Sequence, residues 1–148
     1  MSYSKTANAT LKMAGWEETL KEDIDQGEGE TKNGVYYPRR GVTISEASFT
    51  YSGDLEGAST VLYLITYKPD DAAPVLAVER FTGSVGGREG SFVMTSTGTQ
   101  SPGDVRGHAE VVPGLGTGDL ATLRGEIDLV IEGMSEDGYP VSMSYDFD

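Results

Sequence analysis

Two adjacent charged residues, Glu79 and Arg80, interrupt the otherwise apolar stretch Pro74-Val75-Leu76-Ala77-Val78-Glu79-Arg80-Phe81. Neighbouring side chains of a strand point to opposite faces, so one of the pair must turn toward the interior. Glu79 shares a face with Val75, Ala77 and Phe81, and Arg80 with Leu76, Val78 and Thr82. Each face carries one charge, and the pattern leaves open which is turned inward. A carboxyl group held among apolar side chains ionises less readily and can pass a proton in an isomerisation or cyclisation. The competing role is an ion pair or a charge facing outward, because structural ion pairs perturb proton affinity as active sites do. Glu79 is the expected proton-handling or ligand-orienting group. Arg80, Trp16, Tyr63 and Tyr145 are the expected ligand contacts. The wider aromatic set, with Phe49, Tyr51, Tyr67, Phe81 and Phe92, suits a pocket wall and a packed core equally.

Other chemistries find less support. His108 is the single histidine and lies in the alternation Arg106, His108, Glu110, the outward face of a strand whose inward set is Val105, Ala109 and Val111. One histidine and no cysteine argue against a transition-metal site, and the acids lack calcium-loop spacing. No Gly-x-Ser-x-Gly elbow occurs. Gly114-Leu115-Gly116-Thr117-Gly118 lacks the last glycine of a dinucleotide fingerprint, where Asp119 stands, and turn chemistry accounts for it. No metal and no cofactor are expected, and any catalysis would be that of a cofactor-independent cyclase or isomerase.

Composition narrows the partners. The 148 residues carry a net charge of -13, which repels phosphate backbones and anionic headgroups, so neither nucleic acid nor membrane is expected as a partner. The absence of cysteine fits a reducing compartment, and residues 1–10 hold no apolar run behind a positive charge; a cytoplasmic location is expected. Residues 17–30 hold seven acids against Lys21, and an acidic mobile loop is expected over about 17–38.

The elements that must position these residues are strands. Alternating runs predict eight of them, at about 5–16, 39–51, 58–68, 74–85, 88–99, 105–112, 124–132 and 139–147. A glycine-rich hairpin phrase recurs at Ser52-Gly53-Asp54-Leu55-Glu56-Gly57, Thr82-Gly83-Ser84-Val85-Gly86-Gly87 and Thr117-Gly118-Asp119-Leu120, and further turns are expected at 69–71, 101–104 and 137–138. Glycine at 20 of 148 positions opposes long helices, leaving at most short helical turns at 16–24 and 120–123. An eight-stranded antiparallel meander avoids two free edges by closing, and at this size it has room for packed side chains or one small ligand. The expectation is a single all-β domain over 1–148, a closed eight-stranded antiparallel up-and-down barrel of lipocalin-like form with little helix. The strand at 58–68 is apolar on both faces, which predicts burial on both sides or a subunit interface, hence a homo-oligomer.

Several blocks carry a resemblance: Phe49-Thr50-Tyr51-Ser52-Gly53-Asp54-Leu55-Glu56-Gly57, Glu79-Arg80-Phe81-Thr82-Gly83, Gly86-Gly87-Arg88-Glu89-Gly90-Ser91-Phe92, and 111–125 with its Pro113-Gly114 and Gly118-Asp119-Leu120. In this order, with Trp16-Glu17-Glu18 before and Tyr145-Asp146-Phe147 after, the chain resembles a bacterial family of unknown function with an allene oxide cyclase-like barrel. The resemblance spans about residues 5–148. It implies a barrel that encloses an apolar substrate and dictates its conformation, with one or two polar groups for proton or charge handling; fold alone does not fix function. Two functions follow as rivals: a barrel holding a small apolar or amphipathic molecule, with cyclase or isomerase chemistry where it catalyses, and a filled structural barrel acting as an oligomerisation or protein-interaction module.

Overall fold

The structure, a computed structural model, describes residues 3–32, 34–69, 72–101, 104–133 and 137–148. Eleven strands follow in order: β1 (Lys5–Asp23), β2 (Glu30–Lys32), β3 (Val35–Tyr37), β4 (Gly41–Gly53), β5 (Leu55–Tyr67), β6 (Ala73–Val85), β7 (Arg88–Ser101), β8 (Asp104–Val111), β9 (Thr117–Gly118), β10 (Leu123–Glu132) and β11 (Tyr139–Phe147). Eight of these, β1, β4 to β8, β10 and β11, close a barrel in which each strand pairs antiparallel with its neighbours and β11 returns to β1. The all-β, closed, eight-stranded expectation holds. No helix occurs among the described residues, and none there is long and apolar enough to cross a membrane.

Alternation drives this closure. Ala47, Phe49 and Tyr51 of β4, Val61 and Ile65 of β5, Ala77 and Phe81 of β6, Phe92 and Met94 of β7, and Ile127, Val141 and Met143 of β10 and β11 all turn inward and are buried. Burying one such side chain stabilises the fold by roughly 1.5–3 kcal/mol. Tyr51, Phe81 and Phe92 form an aromatic layer across the barrel, with ring centroids 5.3 and 5.0 Å apart. At one end Leu55, Val85, Leu120 and Leu123 are fully packed and act as a plug. Leu120 reaches that position because the segment after β8 folds back, placing β9 against Gly90 and Ser91.

The repeated glycines do more than turn the chain. Gly86 and Gly87, both at positive φ, make the two-residue hairpin between β6 and β7. Gly57 and Gly83, one from each of the first two phrases, face each other across β5 and β6 at φ 154° and 156°. A Cβ on Gly83 would lie 2.1 Å from the Glu56 carbonyl oxygen, so this close, coiled stretch of wall admits only glycine. The third phrase is not a hairpin: Thr117-Gly118 is the short strand β9 laid against β7.

Three expectations change. The segment expected as an acidic loop over 17–38 begins as strand, because β1 continues to Asp23 and pairs with β4 as far as Gly41, through bulges at 13–15 and 20–22. Beyond it, β2 and β3 form a small hairpin, and two acids before it are held by residues in and after it: Tyr36 donates to Asp23 at 2.7 Å, and Arg39 and Arg40 grip Asp25 at 3.2 and 2.6 Å. Neither short helical turn forms: 16–23 is strand, and 120–122 is a hydrogen-bonded turn. The strand at 58–68 is buried on one face only; Leu62 and Leu64 stand on the outside, 54% and 40% exposed. The turns expected at 69–71 and 101–104 fall partly outside the described residues.

Candidate functional site

The outcome at β6 is unambiguous: Glu79 points inward and Arg80 outward. Glu79 pairs laterally with Val61 on β5 and Met94 on β7, both buried, so its carboxyl group sits just above the aromatic layer. As a residue it is half-buried because its side chain lines a cavity, while its carboxyl group is largely removed from water. That desolvation raises its pKa above the usual carboxylate range. Two neighbours oppose the rise. Ser59 lies against the carboxyl group, although its hydroxyl makes no hydrogen bond of good geometry, and the Tyr51 hydroxyl donates to Glu79 Oε2 at 2.5 Å. Burial and the carboxylate together push the Tyr51 and Tyr63 hydroxyls far above their ordinary range, so both stay protonated donors.

The cavity measures about 60 Å³. Glu79, Tyr51 and Tyr63 supply polar side-chain groups in a wall otherwise dominated by residues such as Phe49, Val61, Met94 and Ile127. It extends away from the Leu120 plug toward the opposite end, where Tyr63, Leu129 and Ile131 are only partly buried. Strand β1 shapes that end by outrunning its partner: its pairing with β11 stops at Leu11–Tyr139, and the remainder pairs with β4 alone. Trp16, carried on this extension in register with inward Ala47, stacks on Tyr63 at 5.3 Å and is 38% exposed.

A second carboxylate stands on the same side of the extension. Glu18 Oε2 accepts from Thr43 at 2.5 Å and from Tyr67 at 2.6 Å, and Glu18 Oε1 accepts from the Trp16 indole N–H at 3.3 Å. Reading the first strand as ending at Trp16 hid this residue. The signal was there, since Trp16, Glu18 and Leu20 keep the period of two. Tyr51 was visible among the aromatics, but not as the partner of Glu79, because that contact joins two non-adjacent strands.

The structure therefore brings Glu79, Tyr63 and Trp16 to one side of the barrel interior and separates the other two expected contacts from them. Arg80 lies outside, with its guanidinium 3.4 Å from Ser91, along an open polar depression of about 670 Å³ that Glu56, Glu89 and Thr117 also line. That depression is larger, but it is a surface groove whose charges, of both signs, are exposed. Tyr145 turns inward at the plugged end, packed on Phe147 at 5.9 Å. His108 is on the outer face, where Asp128 accepts at Nδ1 (2.6 Å) and Glu110 and Glu126 lie 3.2 and 3.6 Å from Nε2. The ligand atoms of His108, Glu110 and Glu126 are near enough to one another to share a divalent ion. A protonated imidazole balances the same carboxylates without one.

A closed up-and-down β-barrel, plugged at one end and holding one desolvated carboxyl group in a small apolar cavity, defines the class. The chain belongs to the family described as protein of unknown function (DUF3224), whose model matches residues 7–145. Among solved structures it is similar to a protein of unknown function from the same family in Shewanella oneidensis MR-1, with TM-score 0.71, 23% identity and 97% of each chain covered. At that identity the likeness concerns the fold. No curated protein matches the chain.

Proposed function

We propose that this barrel binds a small apolar or amphipathic molecule with one polar group, oriented by Glu79 beneath the Tyr63–Trp16 pair. The observation that carries the reading is a carboxyl group kept in an apolar cavity with a tyrosine donor on one oxygen. A desolvated acid costs stability, and such groups cluster at functional sites. With its pKa raised, Glu79 offers a proton to a carbonyl or similar acceptor, and after donation the Tyr51 hydroxyl stabilises the carboxylate. A cofactor-independent isomerisation or cyclisation is the chemistry this supports, in keeping with the allene oxide cyclase-like resemblance of the sequence blocks. The absence of cysteine is in keeping with a cytoplasmic location.

The cavity volume favours a second reading, a filled structural barrel. About 60 Å³ holds a few waters, whereas ligand pockets usually run to about 300–1,000 Å³. On the binding reading, the half-exposed Trp16 and Tyr63 rings swing aside to enlarge the site. Native mass spectrometry of gently purified protein separates the two. A reproducible mass excess that is lost in Glu79→Gln supports binding; a bare mass, together with no tryptophan fluorescence response of Trp16 to small apolar ketones and alcohols, supports the filled barrel.

A further inference from the structure

The outer face of β4 to β7 carries an apolar patch that the cavity does not explain. Ile44, Leu64 and Leu76 are consecutive cross-strand partners, and Leu62 pairs with Val78 in the next row. All five are on the surface, 37%, 40%, 54%, 54% and 47% exposed in that order. Val42, Thr66, Pro74 and Thr99 extend the patch at one margin, Thr95 and Thr97 on β7 and Thr60 and Val93 at the other. Exposed aliphatic side chains in contiguous rows mark an interaction surface, whereas scattered ones do not.

Charge identifies the occupant. On a chain of net charge -13, the four rows of this face from Val42 to Ser48 hold one acid and one base among their outward positions, Glu46 and Arg80, while Glu56 and Glu89 stand further along the same strands. Two copies repel each other over the rest of their surface and can approach here. Glu46 and Arg80 lie on opposite sides of Leu62, so a two-fold axis in the interface that bisects them sets Glu46 of each copy against Arg80 of the other. Such reciprocity is what a two-fold dimer requires. Four strands about 4.8 Å apart and eight residues long at about 3.4 Å each give a face of roughly 500 Å², so two copies in full contact bury at most about 1,000 Å², the lower limit of a specific interface. The opposite wall carries Arg106, His108, Glu110 and Asp128, which a lipid-spanning barrel with an apolar band all around would not.

We infer that the protein forms a two-fold homodimer through the outer face of β4 to β7, with Leu62, Leu64, Leu76 and Val78 at its centre and reciprocal Glu46–Arg80 pairs beside them. The inference is independent of the cavity. Area alone does not fix affinity, and an interface at the low end of the size range belongs to the weak, transient class.

Sedimentation velocity across about 1–100 μM tests it, a range that brackets a micromolar Kd. The wild type is expected to shift from monomer to dimer. Leu62→Glu, which adds a charge at an exposed position, is expected to keep the wild-type circular dichroism and weaken the dimer more than about tenfold. Should Leu62→Glu fail to fold, the charge pair still decides: Glu46→Arg and Arg80→Glu singly weaken the dimer, and the double exchange restores it. A wild type monomeric at about 100 μM overturns the inference, as does a dimer indifferent to both sets, and monomers that float with phosphatidylcholine vesicles assign the face to lipid instead.

Discussion

The Tyr51 hydroxyl reaches across the barrel from β4 to Glu79 on β6 and donates to Oε2 at 2.5 Å, although β5 separates the two strands. This contact opposes the desolvation that raises the pKa of the Glu79 carboxyl group and favours its ionised form.

Removing the donor should be costly. Tyr51→Phe keeps the ring against Phe81 and deletes only the hydroxyl, leaving Glu79 Oε2 without its partner. We expect a loss of about 1.5–3 kcal/mol, the usual value for a hydrogen bond to a charged group. The loss should be largest at a pH where Glu79 is ionised, and smaller where it is protonated. Urea denaturation of both proteins at pH 5 and pH 8 measures it; an equal loss at the two values would show that the hydroxyl does not bond the carboxylate.

Glu79 itself carries a definite sign. Its folded pKa is raised, so the folded state holds a proton that the unfolded chain releases near pH 4.3, and stability falls as pH rises from there through the folded pKa. Glu79→Gln abolishes that titration. The variant should lose less stability than the wild type between pH 4 and pH 8, so that any deficit at low pH shrinks or reverses at high pH. Parallel stability curves for the two proteins would place the carboxyl group in water.

The barrel was legible because alternation, glycine turns and strand count all point the same way, and one inward charge on β6 follows from strand geometry alone. What was hidden depends on closure. The sequence could not choose between Glu79 and Arg80, because each shares its face with apolar residues; Leu76 and Val78 beside Arg80 are apolar yet exposed. The same ambiguity made 58–68 look buried on both sides. Glu18 was lost because a run of acids resembles a solvated loop, whereas β1 is held as strand by thirteen residues of β4 rather than by its own composition. Tyr145 was grouped with the site because nothing in the chain says which end of the barrel a residue occupies.

The facing glycines predict a sharp local cost. At Gly83 a methyl group meets the Glu56 carbonyl oxygen at 2.1 Å and the backbone is at φ 156°, so neither a side-chain rotation nor a small shift relieves it. Gly83→Ala should destabilise by about 1–3 kcal/mol, the scale of a strained backbone position. Gly87→Ala, also at positive φ but with nothing near the added carbon, should cost less, since only the backbone preference is violated. Thermal melts of the two variants test the ranking; equal shifts would mean that the approach of β5 to β6 is looser than this geometry.

His108 offers the simplest titration, since a single imidazole gives unambiguous proton resonances. Asp128 at Nδ1, then Glu110 at Nε2, raise its pKa above the ordinary histidine value near 6.5, against a small desolvation. The stabilisation this supplies is complete below about pH 6.5, where the imidazole is charged in both states, and is lost as pH rises through the folded value. Because the ring is 43% exposed, the energy is modest and screened by salt. An NMR titration should show a pKa above 6.5 at low salt, lowered toward it by Asp128→Asn and by about 1 M NaCl, where the screening length shrinks to about 3 Å. Adding zinc at pH 7 is the decisive control: displacement of the imidazole resonances at stoichiometric metal would show that the Glu110–Glu126 pair serves an ion, and unchanged resonances that it serves the proton.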